Sequence, residues 1–223
     1  MIIGRKNMKK RVVIFGDSNT WGYDAATGGR FNEEIRWPMV AANLLGSEYR
    51  ILEDGLCGRT TCLDDPFNEG LSGLTYLLPC LQTHSPLDML VIMLGTNDCK
   101  QRFSLTAANI ALGMRRLVKK ALEAEVWRDK PNILVIAPGP ILKECELSDV
   151  GKNMGICSDK SYEIAKEYEL IAKELGVGFF DSASCVTMND IDFMHLTADS
   201  HNALAKKVSE IIKNTLESKE MKA

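Results

Sequence analysis

Four short segments carry side chains suited to acyl transfer: Gly16-Asp17-Ser18-Asn19-Thr20, Gly55-Leu56-Cys57-Gly58-Arg59-Thr60, Gly95-Thr96-Asn97-Asp98 and Asp192-Phe193-Met194-His195. A serine hydroxyl attacks a carbonyl well only when a base takes its proton, and neutral imidazole does this near physiological pH. Asp192 and His195 lie three residues apart, so within one tight turn the carboxylate accepts from one ring nitrogen while the other faces Ser18. On this basis Ser18 is the candidate nucleophile and His195 the candidate general base and acid. Asp192 would fix the tautomer. The backbone N–H groups of Ser18 and Gly58 and the side-chain amide of Asn97 are candidate donors to an oxyanion, with Gly58 permitting a close backbone approach. Each feature has a plainer alternative: Ser18 as a helix cap, Asp192 as a cap beside a buried histidine, Asn97 and Asp98 as turn residues. The weight lies in their joint occurrence.

The elements that must position these segments are apolar runs alternating with amphipathic stretches. Val12–Phe15, Tyr49–Leu52, Met89–Leu94, Ile133–Ala137 and the weaker Val177–Phe180 have strand length. Trp37–Leu45, Ala107–Ala124, Ser161–Leu175 and Ala203–Leu216 have helical spacing, apolar on one face and charged on the other. Continuous apolar strands alternating with such helices imply a parallel sheet covered on both faces, and right-handed crossovers make it a three-layer α/β/α domain with a flavodoxin-like five-stranded parallel sheet. Ligands in such sheets sit beyond the carboxyl ends of the strands, where all four segments fall. Three long loops, Tyr23–Arg36, Leu63–Leu78 and Gly139–Cys157, are expected as substrate-side walls, subunit contacts or plain surface excursions.

The chain has 223 residues, enough for one core, read as residues 11–223 after a flexible leader over residues 1–10. Residues 12–15 are too short an apolar run for a signal segment or a membrane span. Twenty-seven Lys+Arg against thirty Asp+Glu, a formal charge of -3, argue against nucleic acid or an anionic membrane as the main partner and leave a small molecule. The seven cysteines form no Cys-x-x-Cys pair, which fits a reduced, cytoplasmic setting. His84 falls in a connecting segment, and His201, six residues after His195, fits a structural hydrogen bond better than chemistry. The two neighbouring histidines fall short of a zinc pattern, so no metal is expected. With neither a phosphate loop nor a dinucleotide fingerprint, no cofactor is expected. Trp21 and Trp37 are candidate walls of an acyl pocket, with core packing the plainer reading of both; Trp21, only three residues after Ser18, is the stronger of the two. Asp17 is expected to hold the nucleophile turn.

Taken together these blocks resemble the SGNH-hydrolase, or GDSL-type esterase, family, matching Ser18, Gly58, Asn97 and His195 with Asp192 in the family's Asp-x-x-His arrangement. Phe15-Gly16-Asp17-Ser18-Asn19-Thr20-Trp21-Gly22, Arg36-Trp37-Pro38, Gly58-Arg59-Thr60-Thr61, Asp64-Asp65-Pro66 and Leu94-Gly95-Thr96-Asn97-Asp98 are similar to its arylesterase and acyltransferase branch. That resemblance implies a serine esterase that hydrolyses short-chain or aryl esters through an acyl-enzyme, with acyl transfer to alcohols in some members, and often a homo-oligomer. Two positions depart from the pattern: Asn19 replaces the Leu of the four-letter motif, and Cys57 stands where Asn is expected before Gly58. The alternatives are a carbohydrate deacetylase or thioesterase using the same triad, a phosphotransferase with Asp17 as nucleophile, and a flavodoxin-like binding module without turnover.

Overall fold

Five apolar stretches form one parallel sheet in the computed structural model, which describes residues 8–217. The strands are β1 (Lys10–Gly16), β2 (Tyr49–Gly55), β3 (Met89–Met93), β4 (Ile133–Ala137) and β5 (Gly178–Asp181), in the order β2-β1-β3-β4-β5. Residues 1–7 of the expected leader lie outside the described residues. Lys10, assigned to that leader from the sequence, instead opens β1 opposite Tyr49.

Because side chains alternate across a strand, β1 feeds two separate cores. Val12 and Ile14 pack with α1 (Trp37–Leu45) and the last helix, through Ala41, Leu204 and Val208. Val13 and Phe15 face the opposite side, covered by α2 (Gly73–His84), α3 (Ala107–Leu122) and α4 (Ser158–Leu175). The last helix, α5 (Ala198–Glu217), lies beside α1. The result is the three-layer α/β/α arrangement that the alternating pattern implies.

One helix departs from the sequence expectation. Residues 73–84, divided between a long loop and a connecting segment in the sequence reading, form α2, capped by the Ser72 hydroxyl, which accepts the Thr75 N–H at 3.4 Å. The segment has no Asp, Glu, Lys or Arg to mark a solvent face and carries Pro79 in its interior, so periodicity alone gives a weak signal. Its buried Gly73, Leu77, Cys80 and Leu81 nevertheless follow helical spacing.

Strand register aligns the functional edge. Gly16 pairs with Gly55 on one side and Met93 on the other, so β1, β2 and β3 release their loops at one level. Strand order reverses around β1, which makes this edge the crevice where open α/β sheets bind ligands. Among the described residues, no helix is long and apolar enough to cross a membrane.

Candidate active site

Ser18 is the first residue of a single helical turn, Ser18–Trp21, immediately beyond β1. Asp17 caps that turn, its Oδ1 accepting the Asn19 N–H at 3.0 Å. Burial pushes the Asp17 carboxyl up to about 6, against the lowering effect of the Asn19 hydrogen bond. Asp17 thus holds the turn, as its position suggests.

The candidate base comes from a segment 177 residues further along the chain. His195 Nε2 lies 2.8 Å from Ser18 Oγ, and His195 Nδ1 lies 2.6 Å from Asp192 Oδ2. Asp192 Oδ1 accepts the N–H groups of Met194 and His195 and the Asn189 amide at 2.8 Å. Phe193 adopts φ 63 inside this turn, a left-handed conformation rare for a bulky residue, and both following N–H groups then converge on one carboxylate oxygen. Burial alone would raise the Asp192 carboxyl. The hydrogen bonds and charge of His195, with the Met194 and Asn189 donors, outweigh that and hold it at about 2.

Two residues given no positioning role in the sequence analysis, Asn189 and Asn19, hold this turn. The Asn189 side-chain oxygen accepts the Ile191 and Asp192 N–H groups, both at 2.8 Å, and its amide donates to the His195 carbonyl. An Asn preceding a run of turn residues is a readable signal for such an Asx turn. Asn19, noted from sequence only as a departure, clasps the base loop: its oxygen accepts the Leu196 N–H at 3.0 Å and its amide donates to the Met194 carbonyl at 3.2 Å.

The candidate oxyanion donors line the same cavity as Ser18 and His195. Gly58 has φ +86, which an L side chain rarely adopts. Arg59, 3% exposed, fixes the loop: Nη1 donates to the Gly16 and Asp54 carbonyls, Nη2 to Asp54 Oδ1 at 2.7 Å, and the guanidinium stacks 4.1 Å over Phe15. Asp98 accepts the Thr61 N–H and hydroxyl, joining the oxyanion loop to the Asn97 turn. Burial pushes the Asp98 carboxyl up to about 7, although the Thr61 bonds oppose it. Asn97 Nδ2 is buried with no hydrogen-bond partner, a donor left available to whatever enters.

The cavity measures about 270 Å³. Its lining combines apolar Leu71, Val150, Met154 and Met194 with polar Asn68, Lys100 and Asn153. All three long loops therefore contribute walls. Lys100, 2% exposed, bonds Asp65 Oδ2 at 3.0 Å, and Arg102 shares the same carboxylate while donating to the Asn153 carbonyl at 2.6 Å. Burial works against the Asp65 charge, but the Phe67 N–H and the two cations prevail and hold its pKa below the usual carboxylate range.

Trp21 is not among the residues lining this cavity, contrary to the sequence expectation. The chain leaves the nucleophile turn through Gly22 at φ 89, which reverses its direction. Trp21 is left beneath the Arg30 guanidinium, 5.1 Å from its ring, while Tyr23 folds back to place its ring 4.4 Å from that of His195. Trp37 is fully buried in the core. His201, also fully buried, accepts the Trp37 N–H on Nδ1 at 3.3 Å, and burial lowers its pKa to about 4. Cys57 lines the cavity, but desolvation and the nearby Asp17 charge push its thiol up to about 11, so it remains protonated at neutral pH.

Residues 14–205 match the model of the GDSL-like lipase/acylhydrolase family. Among solved structures, the native aryl esterase of M. smegmatis is similar at 36% identity and a TM-score of 0.83, with 93% of this chain and 99% of that one covered. A carbohydrate acetylesterase from Sinorhizobium meliloti matches at 36% identity, a TM-score of 0.85 and coverage of 93% and 100%. A further likeness, to a putative arylesterase from Agrobacterium tumefaciens str. C58, has 34% identity, a TM-score of 0.82 and coverage of 92% and 99%. A comparison with curated proteins returns no match.

Proposed function

Because this chain belongs to the GDSL-like lipase/acylhydrolase family and is a serine ester hydrolase, we propose that Ser18, His195 and Asp192 are its catalytic triad and that small carboxylic esters are its substrates. The observation that carries this is the unbroken hydrogen-bonded line from Ser18 Oγ through His195 to Asp192, opening on a cavity. In this mechanism His195 Nε2 takes the Ser18 proton as Oγ attacks the ester carbonyl. The oxyanion is held by the Ser18 and Gly58 N–H groups and Asn97 Nδ2. His195 then protonates the departing alcohol, and water activated by the same imidazole releases the acid. Asp192 stays ionised throughout and orients the ring.

A cavity of about 270 Å³ is small for a ligand site, which favours a short acyl group, acetyl above all. Its polar lining residues Asn68, Lys100 and Asn153 suit a hydroxylated alcohol portion. Acetyl esters of carbohydrates are therefore the second reading, beside aryl esters, in line with what the similar proteins are named for. Acyl transfer to an alcohol would use the same acyl-enzyme. The seven free cysteines support a reducing, cytoplasmic setting.

A fluorophosphonate probe is expected to label Ser18 and to block cleavage of an activated acetate ester. Ser18→Ala should lose both labelling and turnover; full turnover in that variant would exclude the triad.

A further inference from the structure

Behind the oxyanion loop, Asp54 at the end of β2 and Cys80 and His84 on α2 bring a carboxylate oxygen, a sulfur and an imidazole nitrogen within 4.8 Å of one another. The spacing explains the meeting. Cys80 and His84 are four residues apart, so they stack on one face of α2. Cys80 Sγ already contacts Asp54 Oδ2 at 3.2 Å, across 26 residues of chain. The other oxygen, Asp54 Oδ1, is held by Arg59 Nη2 at 2.7 Å, which fixes the carboxylate with Oδ2 turned to the sulfur. Cys80 is 1% exposed, whereas Asp54 and His84 are half-buried, so the cluster is accessible from one side. The esterase mechanism uses none of the three.

We propose that Asp54, Cys80 and His84 form a binding site for a divalent cation of the zinc class. Sulfur and imidazole nitrogen suit Zn²⁺ or Co²⁺, while Mg²⁺ and Ca²⁺ demand oxygen ligands throughout. Three protein ligands leave a fourth tetrahedral position for water. Ligand atoms around such an ion stand about 3–4 Å apart, so Cys80 Sγ and the Asp54 oxygen fixed by Arg59 already have that spacing and the closing movement is a side-chain rotation of His84. On binding, the Cys80 S–H proton passes to solvent and a metal–sulfur bond replaces it. One thiolate and one carboxylate then balance the dication, and Arg59 remains on Asp54 Oδ1 as the partner that orients a ligating carboxylate. The bound ion would tie α2 to the end of β2. The third ligand comes from a neighbouring strand, so no local sequence pattern displays this cluster, unlike the neighbouring His195 and His201.

The test is a Co²⁺ titration of the full chain, stripped of metal with a chelator and kept reduced with a thiol-free phosphine. The expected result is a near-ultraviolet thiolate-to-cobalt charge-transfer band that saturates at one ion per chain and disappears when Zn²⁺ is added. Cys80→Ser should abolish the band, and Cys62→Ser and Cys185→Ser should keep it. His84→Gln, at a half-buried helix end, leaves the core intact and is expected to weaken affinity at least about tenfold. No band in the parent chain, a band that survives Cys80→Ser, or unchanged affinity in His84→Gln would each overturn the assignment. None of these results bears on the esterase mechanism, which is read by turnover.

Discussion

The side-chain oxygen of Asn19 accepts the backbone N–H of Leu196 at 3.0 Å, one residue beyond each end of the 2.8 Å Ser18–His195 hydrogen bond. A residue that looks like a departure from the family motif therefore ties the nucleophile turn to the base loop. Leu in its place would fill similar volume but leave the Leu196 N–H and the Met194 carbonyl unpaired in a buried setting.

Asn19→Leu is accordingly expected to destabilise the fold by about 1–3 kcal/mol, the range for a buried polar group left unsatisfied. It should also lower kcat with little change in KM, because the base drifts while the cavity walls stay. Thermal unfolding and steady-state kinetics together check this. Unchanged kcat would show that the clasp does not position His195.

Asn97→Ala removes a donor whose Nδ2 has no hydrogen-bond partner among the described residues. The melting temperature should hold, while kcat drops roughly 100- to 1,000-fold, as for other oxyanion donors. A loss confined to KM would move Asn97 from stabilising the oxyanion to binding the ground state.

Asp65 is shared by Lys100 and Arg102, and its side chain is fully buried. Asp65→Ala strands a buried ammonium at the cavity wall and should cost about 3–5 kcal/mol. Replacing Lys100 as well, in Asp65→Ala/Lys100→Met, should recover part of that loss. Denaturant unfolding of the parent, each single variant and the double variant tests it, and additive losses would refute the coupling.

The Asp98 carboxyl, raised to about 7, makes the native chain hold a proton that the unfolded chain, with its ordinary Asp near 3.8, has released. Stability from this group is therefore greatest in acid and declines as pH rises between those values. His201, buried and lowered to about 4, runs the opposite way, so the comparison has to be made between variants. Asp98→Asn cannot ionise, and its melting temperature relative to the parent should improve from about pH 5 to about pH 8. A difference that stays flat across that span would contradict the raised carboxyl.

The strands and the four chemical segments were legible because each is a local pattern: an apolar run such as Ile133–Ala137, or a short string such as Asp192 to His195 inside one turn. What escaped was set by distance or direction. The helix at residues 73–84 lacks the charged face that makes α3 and α5 obvious. Tyr23 rather than Trp21 lines the cavity because a left-handed Gly22 between them turns the chain back. The Lys100–Asp65 pair joins residues 35 positions apart, and neither sequence neighbourhood announces the other.

Ser18 and His195 stand 177 residues apart in the chain. During synthesis Ser18, its turn and the first strand emerge well before the imidazole that they face. A nascent polypeptide that has not reached residue 195 thus carries the serine without the imidazole proposed to activate it, and ester cleavage reports only on chains in which both segments have been made and brought together.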